Sequence, residues 1–231
     1  MIPIRTEMII RRTPMANYAI LGANVLAYVV FDLTGSESLG AFKDRYLILN
    51  TAWPSLYQFF TYQFMHEGLA HLGGNMLFLW IFGDNVEDAM GHFRFAAFYL
   101  ICGAVAALTQ GLLNPQSDIP MIGASGAISG VLGAYLLLYP RARVRVLLFL
   151  GIIFWIAHVP AMFVLGVWFL GQLVNAAMAP PGVPGVAFWA HIGGFVTGMG
   201  LVPFFKDKYM PLWQAGNSKP FRVERRRGPW G

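Results

Sequence analysis

Long apolar runs, separated by short polar turns, account for most of the chain. Four of these runs contain no Asp, Glu, Lys or Arg and cover residues 13–31, 68–83, 95–117 and 119–140. A fifth uncharged run extends over residues 146–205, and a turn rich in Pro and Gly at residues 179–185 divides it into two. A helix that crosses the hydrocarbon core needs about 20 mostly apolar residues. The pattern therefore predicts an all-α membrane protein with six transmembrane helices.

A seventh uncharged segment, residues 46–66, is less suited to crossing a membrane. It contains Pro54 and the amide side chains of Asn50, Gln58 and Gln63, interspersed with aromatic residues. Aromatic side chains concentrate at the membrane–water interface, and polar side chains are costly within the hydrocarbon. We expect this segment to be a loop or helix that lies in the interface.

The positions of the basic residues support six crossings and give an orientation. With six spans, 14 of the 16 Lys and Arg residues lie on one side, and only Lys43 and Arg45 lie on the other. Basic residues accumulate on the cytoplasmic side of membrane proteins, so both termini are predicted to be cytoplasmic. The expected organisation is a cytoplasmic segment over residues 1–14, a six-helix domain over residues 15–205 and a basic cytoplasmic tail over residues 206–231.

The composition agrees with this assignment and excludes other classes of protein. Hydrophobic residues make up 57% of the chain and charged residues 12%, with a mean hydropathy of +0.56. Since a soluble domain carries roughly 25% charged residues, these values exclude a disordered chain and an ordinary soluble enzyme. The net charge of +5 reflects orientation in the membrane, so no nucleic-acid partner is predicted. The single cysteine, Cys102, excludes an internal disulfide framework.

Polar groups that ionise or donate protons are costly inside a membrane and commonly mark a functional site. His71 and Asn75 are four residues apart in the second span, so both face one side of a helix. Ser125 opens the fourth span, and His191 lies near the start of the sixth. In the predicted topology these three spans all run inward from the outer side. His71, Ser125 and His191 therefore lie at a similar depth, toward the outer leaflet.

A serine and a histidine at one depth are suited to nucleophilic catalysis. Serine attacks poorly unless an adjacent base accepts its proton, and His191 can be that base for Ser125. The oxyanion of a tetrahedral intermediate needs fixed hydrogen-bond donors, which His71, Asn75 and the backbone amide of Ser125 can supply. The spans place no carboxylate to complete a triad, so a Ser–His dyad is the expected form.

Other polar and small residues in the spans have structural interpretations. Ser129 is expected to bond to the backbone of its own helix. His158 is interpreted as a packed core residue and His92 as a solvated loop residue. Pairs of glycines four residues apart allow helices to approach closely; the pairs in the fourth and sixth spans are Gly126 and Gly130, and Gly194 and Gly198.

Two functions without hydrolysis are alternatives to a hydrolytic enzyme. A transporter or channel could use His71, Asn75 and His191 as a polar path, although such proteins usually have more membrane carboxylates and a detectable inverted repeat. A catalytically silent protein could instead bind transmembrane clients without cutting them. Hydrolysis that depends on Ser125 would distinguish an enzyme from both.

The motifs resemble those of the rhomboid family of intramembrane serine proteases. The resemblance covers roughly residues 15–205 and rests on three segments in the same order, His71-Leu-Gly-Gly-Asn75, Gly123-Ala-Ser-Gly126 and Ala190-His191-Ile-Gly-Gly-Phe-Val-Thr-Gly198. It implies that Ser125 is the nucleophile and His191 the general base and acid. It also implies that His71, Asn75 and the Ser125 backbone line the oxyanion hole. The motif glycines are expected to support the site; they are Gly123, Gly126, Gly194 and Gly198.

The resemblance also carries expectations about substrates and neighbouring segments. Substrates would be transmembrane proteins that meet the enzyme in the lipid bilayer, and no metal ion or cofactor is expected. Residues 46–66 resemble the family's first loop, and residues 176–187 would cap the site. The span that contains Trp168 and Gln172 resembles a helix that gates lateral substrate entry. The apolar N-terminus lacks the features of a cleavable signal or transit peptide, which favours a bacterial-type plasma membrane with the site on the extracytoplasmic side.

Three residues, at two places in the chain, depart from the patterns of some family members. Tyr57 and Gln58 stand where some members carry Trp-Arg in the first loop. Ser129 stands where some carry a tyrosine that stacks on the catalytic histidine. A different side chain must therefore orient His191, and the sequence does not identify it.

Overall fold

The computed structural model of the chain describes residues 1–50, 54–114, 120–151, 153–180 and 185–214. Within them the helices are α1 (Met15–Tyr28), α2 (Glu37–Phe42), α3 (Gln58–Thr61), α4 (Leu69–Met90), α5 (His92–Leu113), α6 (Ser125–Leu138), α7 (Ala161–Met178) and α8 (Phe188–Phe205). Two π-helical segments, Val29–Leu33 and Lys43–Leu47, extend α1 and α2, and a 3-10 turn, Tyr62–Phe64, follows α3. Gly91, with a φ of +85°, forms the sharp turn between α4 and α5.

The short helix α6 lies at the centre of the bundle. Every residue from Gly126 to Tyr135 is buried, and α4, α5, α7 and α8 all pack against this helix. Its apolar residues join one core with side chains of the surrounding helices, among them Phe82, Phe98 and Phe195. A helix that is apolar on all sides is typical of a buried core or of a membrane span. The first residue of this enclosed helix is Ser125.

Glycines bring the backbones of α6 and α8 into direct contact. A Cβ atom on Gly194 would lie 2.0 Å from the carbonyl oxygen of Gly126, and one on Gly198 would lie 2.0 Å from that of Gly130. No side chain fits at such distances. The two helices therefore meet along the glycine pairs that were recognised by their four-residue spacing.

A three-stranded antiparallel sheet corrects the expectation of an all-α protein. The strands β1 (Ile2–Thr6), β2 (Arg143–Leu150) and β3 (Ile153–Pro160) pair in the order β1-β2-β3. The fold is mostly helical, but the part of the uncharged run expected to begin the fifth span is a hairpin of β2 and β3. At the start of β2, apolar and charged residues alternate, which indicates a strand. Val144 and Val146 are buried, whereas Arg143 and Arg145 are exposed.

The hairpin also changes the position of His158. This residue lies on β3 with 45% of its side chain exposed, and its Nε2 atom is 3.3 Å from a carboxylate oxygen of Glu7. The interpretation of His158 as a packed core residue is therefore wrong. The helix α7 begins after Pro160, where Ala161 donates a backbone hydrogen bond of 2.8 Å to Ala142 and so fixes the root of the hairpin.

The acidic end of α4 holds the start of α1. Glu87 is 1% exposed, and its carboxylate accepts backbone hydrogen bonds from Ala16 at 3.0 Å and Asn17 at 2.6 Å. These are free N–H groups of the first turn of α1, where the helix dipole favours negative charge. His92 lies 2.5 Å from the same carboxylate with 43% of its side chain exposed, so this residue is solvated only in part.

Four helical segments within the described residues are long and apolar enough to cross a membrane. They are Met15–Leu33, His92–Leu113, Ala161–Met178 and Phe188–Phe205. The helix α6 is apolar but shorter, and α4 carries acidic residues at its end. The six crossings, the orientation of the termini and the division into residues 1–14, 15–205 and 206–231 stay predictions. Residues 215–231 of the tail and 181–184 of the cap lie outside the described residues.

Candidate active site

Ser125 and His191 are hydrogen-bonded across the contact between α6 and α8. The Oγ atom of Ser125 lies 2.7 Å from Nε2 of His191. Ser125 is half-buried at the first residue of α6, and His191 is 8% exposed in the first turn of α8. The contact between Gly126 and Gly194 lies next to both residues, and it brings the two helix backbones close enough for this bond.

An amide on α5 fixes the start of α8. The Oε1 atom of Gln110 accepts a hydrogen bond of 3.1 Å from the backbone N–H of Ala190. This N–H is one of the groups at a helix N-terminus that has no partner within its own helix. Since Ala190 precedes His191, the bond to Gln110 holds the backbone that carries the histidine.

The second nitrogen of His191 contacts α7. Its Nδ1 atom lies 2.7 Å from Oε1 of Gln172. The ring of Trp168, one helical turn earlier, lies 5.9 Å from the His191 ring at an angle of 33°. Both side chains contact His191 from α7, and the sequence does not identify either as its partner.

His71 packs directly on Gly123. Gly123 has a φ of +117°, and a Cβ atom there would lie 2.7 Å from both Cε1 and Nε2 of His71. Only glycine combines this backbone conformation with the absence of a side chain. The close approach places the imidazole beside the backbone that leads into Ser125.

Asn75 directs an amide donor toward the same place. Its Nδ2 atom is 3.8 Å from the position of a Cβ on Gly123. This atom is buried and has no hydrogen-bond partner within the described residues. Buried donors without a partner are uncommon because they cost free energy. The unused donor beside Gly123 is therefore available to an oxygen atom of a bound molecule.

The first loop holds the backbone before Ser125. The carbonyl of Tyr62 accepts a hydrogen bond of 3.1 Å from Gly123, and the Tyr62 hydroxyl donates one of 2.7 Å to Gly103. Leu49 and Met121 exchange two backbone hydrogen bonds of 3.0 and 2.9 Å. Gln58, which departs from the family pattern, accepts a bond of 3.0 Å from the backbone N–H of Ser55, within the loop itself.

Two further residues lie close to the site. His66 is fully buried, and its ring packs edge-to-face on that of His71 with 5.1 Å between centroids. Burial, and to a lesser degree His71, lowers the pKa of His66 to about 4, so this side chain is neutral at pH 7. The Ser129 hydroxyl donates a hydrogen bond of 2.6 Å to the carbonyl of Ser125, as expected for a serine that bonds to its own helix.

The arrangement has the parts needed for acyl transfer. A hydroxyl is bonded to an imidazole, the imidazole is oriented by an amide, and two further donors lie beside the backbone at Gly123. Within the described residues, no three His, Cys, Asp or Glu side chains are grouped so that they could hold a metal ion.

Comparison with known proteins places these residues in a family. Residues 54–207 match the model of the Rhomboid domain. The chain is 32% identical over 190 residues to "Rhomboid protein 1, mitochondrial" of Saccharomyces cerevisiae. The aligned segment covers 79% of this chain and 51% of that protein. It is 31% identical over 170 residues to "Rhomboid-like protein 11, chloroplastic" of Arabidopsis thaliana, which covers 69% of this chain and 55% of that protein.

A bacterial relative carries the name of a protease. The chain is 34% identical over 129 residues to "Rhomboid protease GluP" of Bacillus subtilis, which covers 53% of this chain and 24% of that protein. The chain thus spans about half the length, or less, of these relatives. Together with its apolar helices, the match to the domain identifies a multi-pass membrane protein. This chain belongs to the rhomboid family.

Proposed function

We propose that this chain is an intramembrane serine endopeptidase that cleaves transmembrane segments of other membrane proteins with a Ser125–His191 dyad. The observation that carries the proposal is the hydrogen bond of 2.7 Å between Ser125 Oγ and His191 Nε2. The unused amide donor of Asn75 beside Gly123 supports it. The relative named as a protease in Bacillus subtilis also agrees with this chemistry.

The first half of the reaction transfers an acyl group to the serine. Ser125 Oγ attacks the carbonyl carbon of the scissile peptide bond while His191 Nε2 accepts the hydroxyl proton. The negative charge that develops on the carbonyl oxygen is stabilised by donors from His71, Asn75 and the Ser125 backbone. The C–N bond then breaks, and His191 returns the proton to the leaving amine, which yields an acyl-enzyme.

The second half releases the acyl group with water. His191 accepts a proton from the water as its oxygen attacks the ester carbonyl, and it then returns this proton to Ser125 Oγ. A hydrogen-bonded helical carbonyl is shielded by neighbouring turns, so the substrate must unwind locally. Small or helix-destabilising residues near the cut are therefore favoured.

The proposed topology has six crossings with both termini in the cytoplasm. At 1.5 Å per residue α6 is about 21 Å long, less than the roughly 30 Å of the hydrocarbon core. Its first residue, Ser125, would then lie within the outer leaflet, open to the extracytoplasmic side. In this proposal residues 15–205 form the protease domain, residues 1–14 precede it in the cytoplasm, and residues 206–231 form a basic cytoplasmic tail.

The membrane in which the protein acts is a separate proposal. We place the chain in a plasma membrane of the bacterial type, as the Bacillus subtilis relative allows. Relatives named as mitochondrial and chloroplastic make organelle membranes the alternative. Localisation of the tagged chain in its native cell decides between these membranes.

Reconstitution with a transmembrane reporter tests the proposed activity. We expect the wild-type chain to cut the reporter and Ser125→Ala to lose the activity. Ser129→Ala is the matched control because it removes a hydroxyl one turn further along α6, whose hydrogen bond in the described part of the chain is to its own helix. A wild-type chain that leaves several different reporters intact, while still binding them, would instead support a silent client-binding protein. A cut that persists in Ser125→Ala would remove the assigned nucleophile.

A further inference from the structure

The helix α7 lies at the edge of the bundle and reaches the site through few residues. Half of the α7 side chains are exposed; its buried residues are Ala161, Val164, Leu165 and Ala176. Trp168 and Gln172 are partly buried, and their four-residue spacing places them on one face of the helix. That face is turned toward His191.

The orientation of the Gln172 amide is fixed by two hydrogen bonds. Its Nε2 group donates a bond of 3.5 Å to the backbone carbonyl of Trp168. Its Oε1 atom therefore faces His191 and can only accept. The Nδ1 atom of His191, at 2.7 Å, must then carry the proton that it donates to Oε1.

This bond determines which form of the imidazole faces Ser125. With a proton on Nδ1, a neutral imidazole has no proton on Nε2. The unprotonated Nε2 lies 2.7 Å from Ser125 Oγ and can accept the hydroxyl proton. The opposite tautomer would place a second donor against the hydroxyl and could not act as a base.

We propose that Gln172 is a positioning residue that holds His191 in its catalytically competent tautomer and makes the dyad depend on the docking of α7 against α8. This inference rests on the proposed protease function. When α7 lies in place, Gln172 accepts from Nδ1 before and after His191 takes up the serine proton. When α7 moves away, Nδ1 loses this acceptor, and the fraction of His191 that is ready to accept a proton falls.

Trp168 also packs against the His191 imidazole and restricts its rotation. Its indole lies beside the rings of both His191 and Phe195 on α8, with centroids at 5.9 and 6.0 Å. The indole limits rotation of the imidazole, whereas the amide selects the tautomer. Together they perform from α7 the orienting role of the tyrosine that some family members carry on the helix of the serine.

The other groups around His191 do not offer Nδ1 an acceptor. Ser125 on α6 bonds to Nε2, and Gln110 on α5 is bonded to the backbone of Ala190. His71 on α4 lies against Gly123, and His66 packs behind it. Loss of the Gln172 acceptor is therefore not compensated by another side chain in the described residues.

Gln172→Met tests the positioning role because it keeps the length of the side chain and removes the acceptor. A hydrogen bond to a charged group contributes about 1.5–3 kcal/mol, so we expect kcat on a transmembrane reporter to fall by about 10- to 100-fold. The KM should stay within about twofold because Gln172 bonds to His191. Labelling of Ser125 by a fluorophosphonate should slow in parallel.

Asn175→Leu is the matched control, since it removes an exposed amide from the same helix without touching His191. We expect it to keep wild-type kcat. A wild-type chain that neither cuts nor labels would defeat the proposed function. An active wild-type chain with Gln172→Met at full activity would instead defeat the positioning role alone.

Gln172→Glu separates positioning from a merely structural contribution. A carboxylate at this place still accepts from Nδ1 and stabilises the protonated imidazole. We expect activity at alkaline pH to be retained, while the loss of activity on the acid side begins at a higher pH than in wild type. If Gln172→Glu loses activity on the acid side at the same pH as wild type, the assignment is overturned. A side chain that acts by packing alone does not respond to this charge.

Discussion

The Oε1 atom of Gln172 lies 2.7 Å from Nδ1 of His191 and joins the peripheral helix α7 to the helix of the proposed base. With the bond from His191 to Ser125, it completes a chain of three polar side chains on three helices. Serine proteases in water commonly use a carboxylate in the third position. An uncharged amide provides the acceptor without the cost of a buried charge in an apolar bundle.

Asn75→Ala is expected to slow catalysis without weakening substrate binding. The Nδ2 donor is unused in the free chain and would bond only when an oxyanion forms. Loss of one such donor lowers kcat by about 100- to 1000-fold. Steady-state kinetics on the reporter should give this loss with KM little changed. The control is Asn175→Ala on α7, which should leave kcat unchanged. A loss of kcat of threefold or less in Asn75→Ala would mean that Asn75 does not contact the oxyanion.

Gly123→Ala is expected to remove activity by displacing His71. The added methyl would lie 2.7 Å from the imidazole, in a backbone conformation with φ of +117° that L residues rarely adopt. Such strain costs about 1–3 kcal/mol, so the Tm in detergent should fall together with the activity. Gly111→Ala is the control because nothing lies within 4 Å of its added methyl. Equal activity in the two variants would contradict the close contact with His71.

The residues of the site were predictable because they are polar interruptions in apolar runs. Ser125, His71, Asn75 and His191 stand out in segments that contain almost no other groups able to donate or accept protons. The geometry brings the serine and histidine together where the sequence placed them, at the starts of their helices. Their catalytic roles stay proposals.

Gln172 and the hairpin were not predictable in the same way. Gln172 is one amide on an apolar helix, and its partner 19 residues away is fixed only when α7 packs on α8. The hairpin was missed because residues 146–160 are uncharged and look like part of a span. The alternation that identifies β2 is short, and it ends where the strand becomes apolar on both faces.

Glu87→Gln is expected to destabilise the fold without a direct effect on the site. The carboxylate accepts from the backbone of Ala16 and Asn17, and an amide oxygen cannot replace both charge-assisted bonds. The cost should be about 1–3 kcal/mol, visible as a lower Tm in detergent. Glu37→Gln, at an exposed position in α2, is the matched control. A Tm equal to that of the control would mean that the start of α1 does not depend on this carboxylate.

His66 is expected to make the fold less stable in mild acid. Burial lowers the pKa of His66 from its ordinary value of 6.5 to about 4. Between these values the unfolded chain binds a proton that the folded chain excludes, so stability falls as pH decreases from 6.5 toward 4. The Tm of the wild-type chain should therefore drop between pH 7 and pH 5 by more than that of His66→Gln.

The comparison uses the change in Tm with pH, because His66→Gln can alter the packing against His71 at every pH. His158→Gln is the control, since this histidine is exposed on β3 and its replacement should leave the drop at the wild-type size. If His66→Gln shows the same drop as wild type, other groups cause the acid sensitivity. If the fall in Tm between pH 7 and pH 5 becomes smaller only in His66→Gln, the acid sensitivity is caused by the neutral imidazole of His66. This residue lies behind His71 and outside the Ser125–His191 pair.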